Sequence, residues 1–410
     1  MERYTQFLMK HRGWVILLFA AAAVVCGVLS ALVGVNYKFA DYLPADAAST
    51  RAIGVMEEEY DQAVPNMRVL VYDVAIPEAL EYKERIEAAE GVQEVNWLDD
   101  AVNIYEPLEM APQKTVDEWY KDGDALFNVT VDEEREDEAV AAVREIIGEG
   151  NCMSGSAVES VIAAADTARD VQKIMLLAVP VIFLILLVTT TSWFEPVLFM
   201  ITIGVAILIN MGTNLIFGTI SFVTNAAGPV LQLAVSMDYS IFLLHRFEEN
   251  RKQGLKAEAA MCAAVKQSVG SILSSGLTTV TGFLALVFMA FEIGPDLGWA
   301  MSKAILLSLI SVLCFLPALA ITACPLIDRT KHRALTPGFG GFAGFVMKAR
   351  IPLLILVVLL VPVSWLAQNH NSFYYGGSEV YTSEATQLGR DSKAIAALYD
   401  ASNPVVLMAP

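Results

Sequence analysis

An aspartate at position 238 and a tyrosine at 239 stand inside an apolar run, Ile220 to Leu244, that holds no other charged residue. An acid near the centre of a membrane helix costs about 2.5–3.5 kcal/mol on insertion scales, and such residues face a bundle interior or a wet cavity. Two helical turns separate Asp238 from Arg246, which places the carboxyl group several ångströms inside the boundary. A low dielectric favours the neutral acid over the carboxylate, so the chemistry on offer is uptake and release of a proton. The competing reading is a plain hydrogen bond to a neighbouring helix or a wet interface. Tyr239 can orient the carboxyl group, or pack as an interfacial aromatic.

Other polar side chains recur at helical spacing in neighbouring runs. Asn210 and Asn214 lie one turn apart, and Ser274, Ser275, Thr278 and Thr279 form a hydroxyl-rich stripe. Residues of this kind commonly bond one membrane helix to another; Asn210, Asn214, Ser274 and Thr278 are the candidates for supporting a proton relay. Lys303 is expected to snorkel toward Glu292 or Asp296. Cys26, Cys314 and Cys324 fall in apolar runs, while Cys152 and Cys262 stand alone in polar ones, so no disulfide framework or metal cage follows. His11, His245, His332 and His370 show no ligand spacing. No cofactor is expected. An intramembrane aspartyl protease would need two carboxylates at one site, and the apolar runs supply one convincing candidate.

The elements that must hold these groups follow from composition. Of 410 residues, 55% are hydrophobic and only 18% charged, with a mean hydropathy of +0.52, which argues against a soluble enzyme core. Seven apolar runs are long enough for a helix to cross a hydrocarbon layer of about 30 Å. They are Trp14 to Val35, Ile174 to Thr191, Pro196 to Phe217, Ile220 to Leu244, Ser268 to Phe291, Ala304 to Cys324 and Ile351 to Ala367. The first is longer than the apolar core of a secretory signal and reads as a retained anchor. Basic residues gather before the first run, after the fourth and between the sixth and seventh. With alternating spans all three groups fall on one side, which the positive-inside rule makes cytoplasmic.

The formal charge of −18 is concentrated in one segment. Between Asn36 and Gln172 there are 32 acidic and 10 basic residues; the remainder holds 13 and 17. Nucleic acid is therefore excluded as a partner, and the acidic segment falls on the external side. Within it, strand patterns at Met67 to Asp73, Val92 to Leu98, Ala125 to Val131 and near Cys152 alternate with helical ones at Glu78 to Ala89 and Glu133 to Ile147. That order, β-α-β-β-α-β, is the ferredoxin-like arrangement. Val158 to Gln172 is expected to run directly into the second span. The fold class is thus an α-helical polytopic membrane bundle carrying an α+β external domain. Its divisions are 1–35, 36–172, 173–325, a linker at 326–350, a span at 351–367, and 368–410. From Asn371 this last stretch repeats the course of Asn36 to Tyr72 after the first span: Tyr60-Asp61 and Pro65 compare with Tyr399-Asp400 and Pro404. It reads as the start of a second copy, its strand at Val405 lacking a sheet, so that a longer natural protein is expected.

The segment Met237-Asp238-Tyr239-Ser240-Ile241-Phe242-Leu243-Leu244-His245-Arg246-Phe247-Glu248-Glu249 resembles the fourth-helix signature of the MMPL (mycobacterial membrane protein large) family, within the resistance-nodulation-division (RND) superfamily of transporters. Asp41-Tyr42-Leu43-Pro44 resembles its membrane-exit motif, and Pro317-Ala318-Leu319 also fits. The likeness covers essentially the whole chain through its one-plus-five spacing of spans around the external domain. It implies a twelve-span protein of two pseudo-symmetric halves, each with a porter domain. Asp238 would accept the proton and Tyr239 relay it, facing an equivalent pair on a tenth helix. The implied function is export of lipids or other hydrophobic compounds across the cell membrane, driven by the proton-motive force, with drug efflux a close variant. Implied partners are the bilayer, a hydrophobic or lipid substrate and a second half supplying helices 8–12; a homo-oligomer stays open. The alternative is a membrane-embedded interaction or assembly scaffold, or a sensor, of the same fold without substrate flux.

Overall fold

Hydrocarbon offers no water to backbone N–H and C=O groups, so an apolar segment must close its hydrogen bonds within itself. Among the described residues, seven helices long and apolar enough to cross a membrane result. The computed structural model describes residues 2–38, 40–44, 46–59, 64–132, 135–332, 340–371 and 386–399. The chain divides into two units: Met1–Asn36 with Ala168–Ser372, and Tyr37–Thr167 with Phe373–Pro410. The first unit opens with a short amphipathic helix, α1 (Glu2–Lys10), followed by α2 (Arg12–Leu29), the first span. Where the apolar run predicts helix to Val35, Gly34–Asn36 forms a strand, β1.

In the second unit α3 (Ala48–Glu59) precedes the sheet. The sheet is built from β2 (Met67–Val71), α4 (Ile76–Glu87), β3 (Val92–Asn96), the short α5 (Leu98–Ala101) and α6 (Gln113–Trp119), β4 (Tyr120–Lys121), β5 (Asp124–Val131), α7 (Glu136–Ile147) and β6 (Cys152–Ser154). Strands run in the order β3-β5-β2-β6, every pairing antiparallel, with β4 folded back on β5. Alternating apolar residues bury one face, where Met67, Val69, Trp97 and Phe127 are fully enclosed with Ala79 and Ile86 of α4 and Val143 of α7. Asn66 ties the start of β2 to the end of β5 by exchanging two side-chain hydrogen bonds with the Val131 backbone, at 2.8 and 2.9 Å. Gly155 turns the chain out of β6 at φ +115°, where a Cβ would collide with the Asn66 backbone.

The chain then enters α8 (Ser156–Thr189), one continuous helix of 34 residues, as the sequence pattern implies. It continues with α9 (Glu195–Thr213), β7 (Thr219–Ser221), α10 (Phe222–Lys252), α11 (Ala257–Leu284) and α12 (Ile293–Ile310). A π-helical turn at Ser311–Phe315 leads to α13 (Leu316–Thr322), α14 (Cys324–Arg329), α15 (Gly340–Lys348) and α16 (Arg350–Gln368). Strand β7 pairs in parallel with β1, Gly34 opposite Thr219. Where the sixth apolar run begins at Ala304, α12 is already helical from Ile293. Pro295 falls in the first turn, where a missing N–H is tolerated, and Asp296 suits the positive end of the helix dipole. Helices α2 and α9 meet at Gly212, which leaves no room for a Cβ against the Cys26 backbone, and Phe19 stacks on Phe315 at 5.1 Å. In contrast, α16 buries no side chain among the described residues.

The last described element, α17 (Gln387–Tyr399), lies beyond the seventh span yet packs on the second face of the acidic domain's sheet. Ile395 joins Leu70, Leu126 and Cys152 in a buried cluster. Asp391, 6% exposed, accepts from Arg144 at 2.8 Å and from the Met153 N–H at 3.2 Å. Tyr399 donates to the Asp124 carbonyl. The strand expected at Val405 and the comparison at Tyr60-Asp61 lie outside the described residues.

Candidate functional site

Helix α10 carries the candidate acid, and its two sides differ in kind. On one side Thr224, Gly228, Gln232, Ser236 and Ser240 recur every four residues and are buried, close to the 3.6-residue helical period. Gln232 Nε2 donates to the Ala304 carbonyl at 3.2 Å and to Ser308 Oγ at 3.0 Å; Ser236 Oγ donates to the same Ser308 hydroxyl at 2.7 Å. These bonds lock α10 to α12. The other side is exposed at Ala234, Asp238, Phe242, His245 and Arg246. Ser221 caps the helix, accepting from the Thr224 N–H, and Asp296 accepts from the Ser221 N–H and the Thr224 hydroxyl at 2.8 and 2.6 Å.

Asp238 is exposed on this surface and has no hydrogen-bonding or ionic partner among the described residues. The burial that its sequence context implies is thus not provided within these seven helices: the acid points off the surface of the unit. Tyr239, next to it, is only 5% exposed and belongs to the apolar cluster of Leu243 and Phe247. The two side chains leave the helix about 100° apart, one into the packed interior and one out of it.

The supporting candidates lie elsewhere. Asn210 and Asn214 gather at Lys303, whose ammonium donates to the Asn210 carbonyl at 3.1 Å, Thr213 Oγ1 at 3.0 Å and Asn214 Oδ1 at 2.7 Å, and sits 5.1 Å from the Phe217 ring centre. Lys303 therefore does not reach Glu292 or Asp296. It finds the last carbonyls of α9, the negative end of that helix's dipole, while Asp296 is already engaged at the start of α10. Asn210 and Asn214 line a small cavity with Thr224, Gly228 and Pro229; Pro229 is nine residues, roughly 13 Å of helix, from Asp238. Thr278 turns its hydroxyl back to the Ser274 carbonyl at 2.8 Å, and both residues are exposed on α11.

A further polar cluster at the far end of α10 is not foreseen from the run of apolar residues. Glu195, 5% exposed, accepts from the Thr191 N–H at 3.3 Å, while the Thr191 hydroxyl donates to Glu248. Arg251 makes a bidentate pair with Asp328 at 2.8 and 2.9 Å, and Lys331 joins at 2.7 Å. Hydrogen bonding from Lys331, aided by Arg251, holds the Asp328 carboxyl below the ordinary range. No local pattern signals it: α9 starts at Glu195 with Phe194 before it and no side-chain cap, and Glu248 reaches Thr191 from 57 residues away. For Gln232, Ser236 and Ser240 the four-residue spacing was the signal. Among the described residues no three His, Cys, Asp or Glu side chains converge as a metal site would require.

Comparison with known proteins gives this geometry a setting. The MMPL family model matches residues 41–348. Protein MJ1562 of Methanocaldococcus jannaschii is 35% identical over 105 residues, 25% of this chain and 27% of its own length. ActII-3 of Streptomyces coelicolor is 24% identical over 294 residues, 69% and 40% of the two lengths. The probable transport protein MmpL9 of Mycobacterium tuberculosis is 27% identical over 273 residues, 62% and 27%. The matched regions thus span from about a quarter to two fifths of these relatives.

Proposed function

Since the chain belongs to the MMPL family, we propose that it is the first half of a membrane transporter that exports lipids or other hydrophobic compounds at the expense of the proton-motive force. The observation that carries this reading is Asp238. A carboxylate on an apolar spanning helix, exposed on the helical unit and without a partner among the described residues, needs a surface that supplies one. A second set of helices, 8–12, would cover this face and bury the acid, in keeping with the greater length of the relatives. Asp238 then takes up and releases the proton, and Tyr239 relays it. The α10–α12 lock through Gln232, Ser236 and Ser308 holds the opposite side of the helix still. We read the acidic unit as a ferredoxin-like porter domain on the external side, with the N-terminus cytoplasmic; the antiparallel strand order and the distribution of basic residues support both.

In the full-length protein at matched expression, Asp238→Asn keeps side-chain volume and removes titration. Export of a labelled hydrophobic substrate from cells should fall by the order of 100-fold, and Asp238→Glu should retain a measurable part. Undiminished export by Asp238→Asn would favour the scaffold alternative, in which partner capture is indifferent to that substitution.

A further inference from the structure

On the acidic domain's sheet, the row of residues next to the α17 contact belongs to neither the proton path nor the packed core. Leu70, Leu126 and Cys152 share the face that Ile395 covers. Two residues along each strand, and so on the same face, stand Arg68 on β2, Asn128 opposite it on β5 and Ser154 opposite it on β6. Thr130 comes next on that face of β5. An apolar row is thus followed by a polar one with a cation at its centre.

Arg68 is an exception among the domain's cations. Between Asn36 and Gln172 acidic residues outnumber basic ones by 32 to 10, and the enclosed cations draw on them: Lys83 pairs with Asp99 and Asp100, and Arg144 with Asp391. Arg68 is only partly exposed, yet it has no hydrogen-bonding or ionic partner among the described residues. Burial pulls its pKa below the ordinary arginine value, and the group stays charged. The Thr130 hydroxyl, on a residue 2% exposed, likewise makes no hydrogen bond. Glu94, opposite Thr130 on β3, is exposed and two strand spacings from β2, about 10 Å. A charge desolvated without a partner costs stability, and departures of this kind gather at functional sites.

The chemistry of the row limits what it can take. A guanidinium presents its N–H groups as a planar fork that meets a carboxylate with two parallel bonds. One cation balances one negative charge, while the surrounding carboxylates repel a partner in proportion to its own charge. An acidic protein or a polyphosphate is therefore disfavoured where a single-headed acid is not.

We propose that this row receives the carboxylate headgroup of an acidic amphiphile, with Arg68 pairing the charge and the Thr130 hydroxyl donating beside it. Calling that amphiphile cargo rests on the transport reading, and narrows the hydrophobic substrate to one with a single acidic head; binding itself needs no proton relay.

The test uses the purified 410-residue chain in phosphatidylcholine nanodiscs and palmitic acid carrying a photoreactive diazirine near its headgroup. The matching alcohol is the uncharged probe, and labelled peptides are read by mass spectrometry. The acid should label β2, β5 or β6 about tenfold more than the alcohol does, and Arg68→Gln should remove about the same factor. Arg68→Lys should keep part of the labelling, and Lys114→Gln, at an exposed cation of the same domain, should keep all of it. Because Arg68 lacks a partner within the fold, Arg68→Gln should hold or raise the thermal midpoint; a lowered midpoint would assign the arginine to the fold and overturn the proposal. Equal labelling by acid and alcohol overturns it, as does undiminished labelling of Arg68→Gln or an equal loss in Lys114→Gln. Excess palmitate should displace the probe and acetate at the same concentration should not; displacement by acetate would assign the row to small anions and overturn the amphiphile. Asp238→Asn should label as the wild type does, so failure of this site and failure of proton-coupled export are told apart.

Discussion

Asp391 and Asp238 are both aspartates on helices, and they are treated in opposite ways. Asp391 is enclosed against the sheet of the acidic unit and receives the Arg144 guanidinium and a backbone N–H. Asp238 stands on the exposed side of α10 with neither. A buried carboxylate that answers a guanidinium and a backbone N–H is an anchor, because removing its partner leaves it enclosed with less to compensate its charge. One left exposed on an apolar helix, without a partner among the described residues, adds nothing to the packing. The difference separates residues that hold this protein together from the residue proposed to work it.

The comparison breaks first at Asp391. Asp391→Ala leaves Arg144 its bonds to the Asn151 and Gly148 carbonyls but removes the ion pair and the acceptor of the Met153 N–H, and should cost about 1–3 kcal/mol of local stability, seen as fast hydrogen exchange over Gln387–Tyr399 and along β6; slow exchange there would make the pair ornamental. Gly212→Leu forces side-chain atoms into the Cys26 backbone and should cost about 3 kcal/mol or fail to yield folded protein, read from the yield of monodisperse material. On the buried side of α10, Ser308→Ala removes the group shared by Gln232 and Ser236. It should lower stability by about 1–2 kcal/mol in a detergent unfolding titration.

A smaller effect is expected from the Lys83 cluster, where Lys83 Nζ bonds Asp99 at 2.9 Å and Asp100 at 2.7 Å. For Asp100, burial pushes the carboxyl upward, but hydrogen bonds from Lys83 and the Trp97 N–H outweigh it, and the folded value is lowered. Stability from this group is therefore present above its unfolded value near 4 and is lost as pH falls through the lower folded value. Asp100 is half exposed, so solvent screening limits the loss to less than about 1 kcal/mol. Acid titration of the wild type against Asp100→Asn reads it: the two should converge at low pH.

Much of this was legible beforehand, for physical reasons that also mark where legibility ends. Hydrocarbon admits so few backbone solutions that the seven spans follow from apolar length, and apolar, β-rich stretches at Met67–Val71 and Asp124–Val131 show strands that prove to be buried on both faces. Boundaries set by polar contacts were less visible. The helical start at Ile293 depends on the tolerance of a first turn for Pro295, and β1 depends on a partner strand nearly two hundred residues away. Lys303 was read toward the nearest acids in sequence, whereas α9 ends nearby in space with three oxygen acceptors. Asp238 was legible as unusual because charge is rare in such a run, but which side of α10 it occupies depends on how α9, α11 and α12 pack. The docking of α17 carries no local signal at all: Asp391 and Arg144 are 247 residues apart.

The measurement that bears most directly on Asp238 is proton flux in proteoliposomes of the full-length protein, followed by an internal pH dye under an imposed gradient, for wild type and Asp238→Asn side by side. The account predicts that the variant keeps the wild-type stability to within about 0.5 kcal/mol while its gradient-driven flux falls to the level of protein-free vesicles. Wild-type flux through a well-folded Asp238→Asn protein would contradict it.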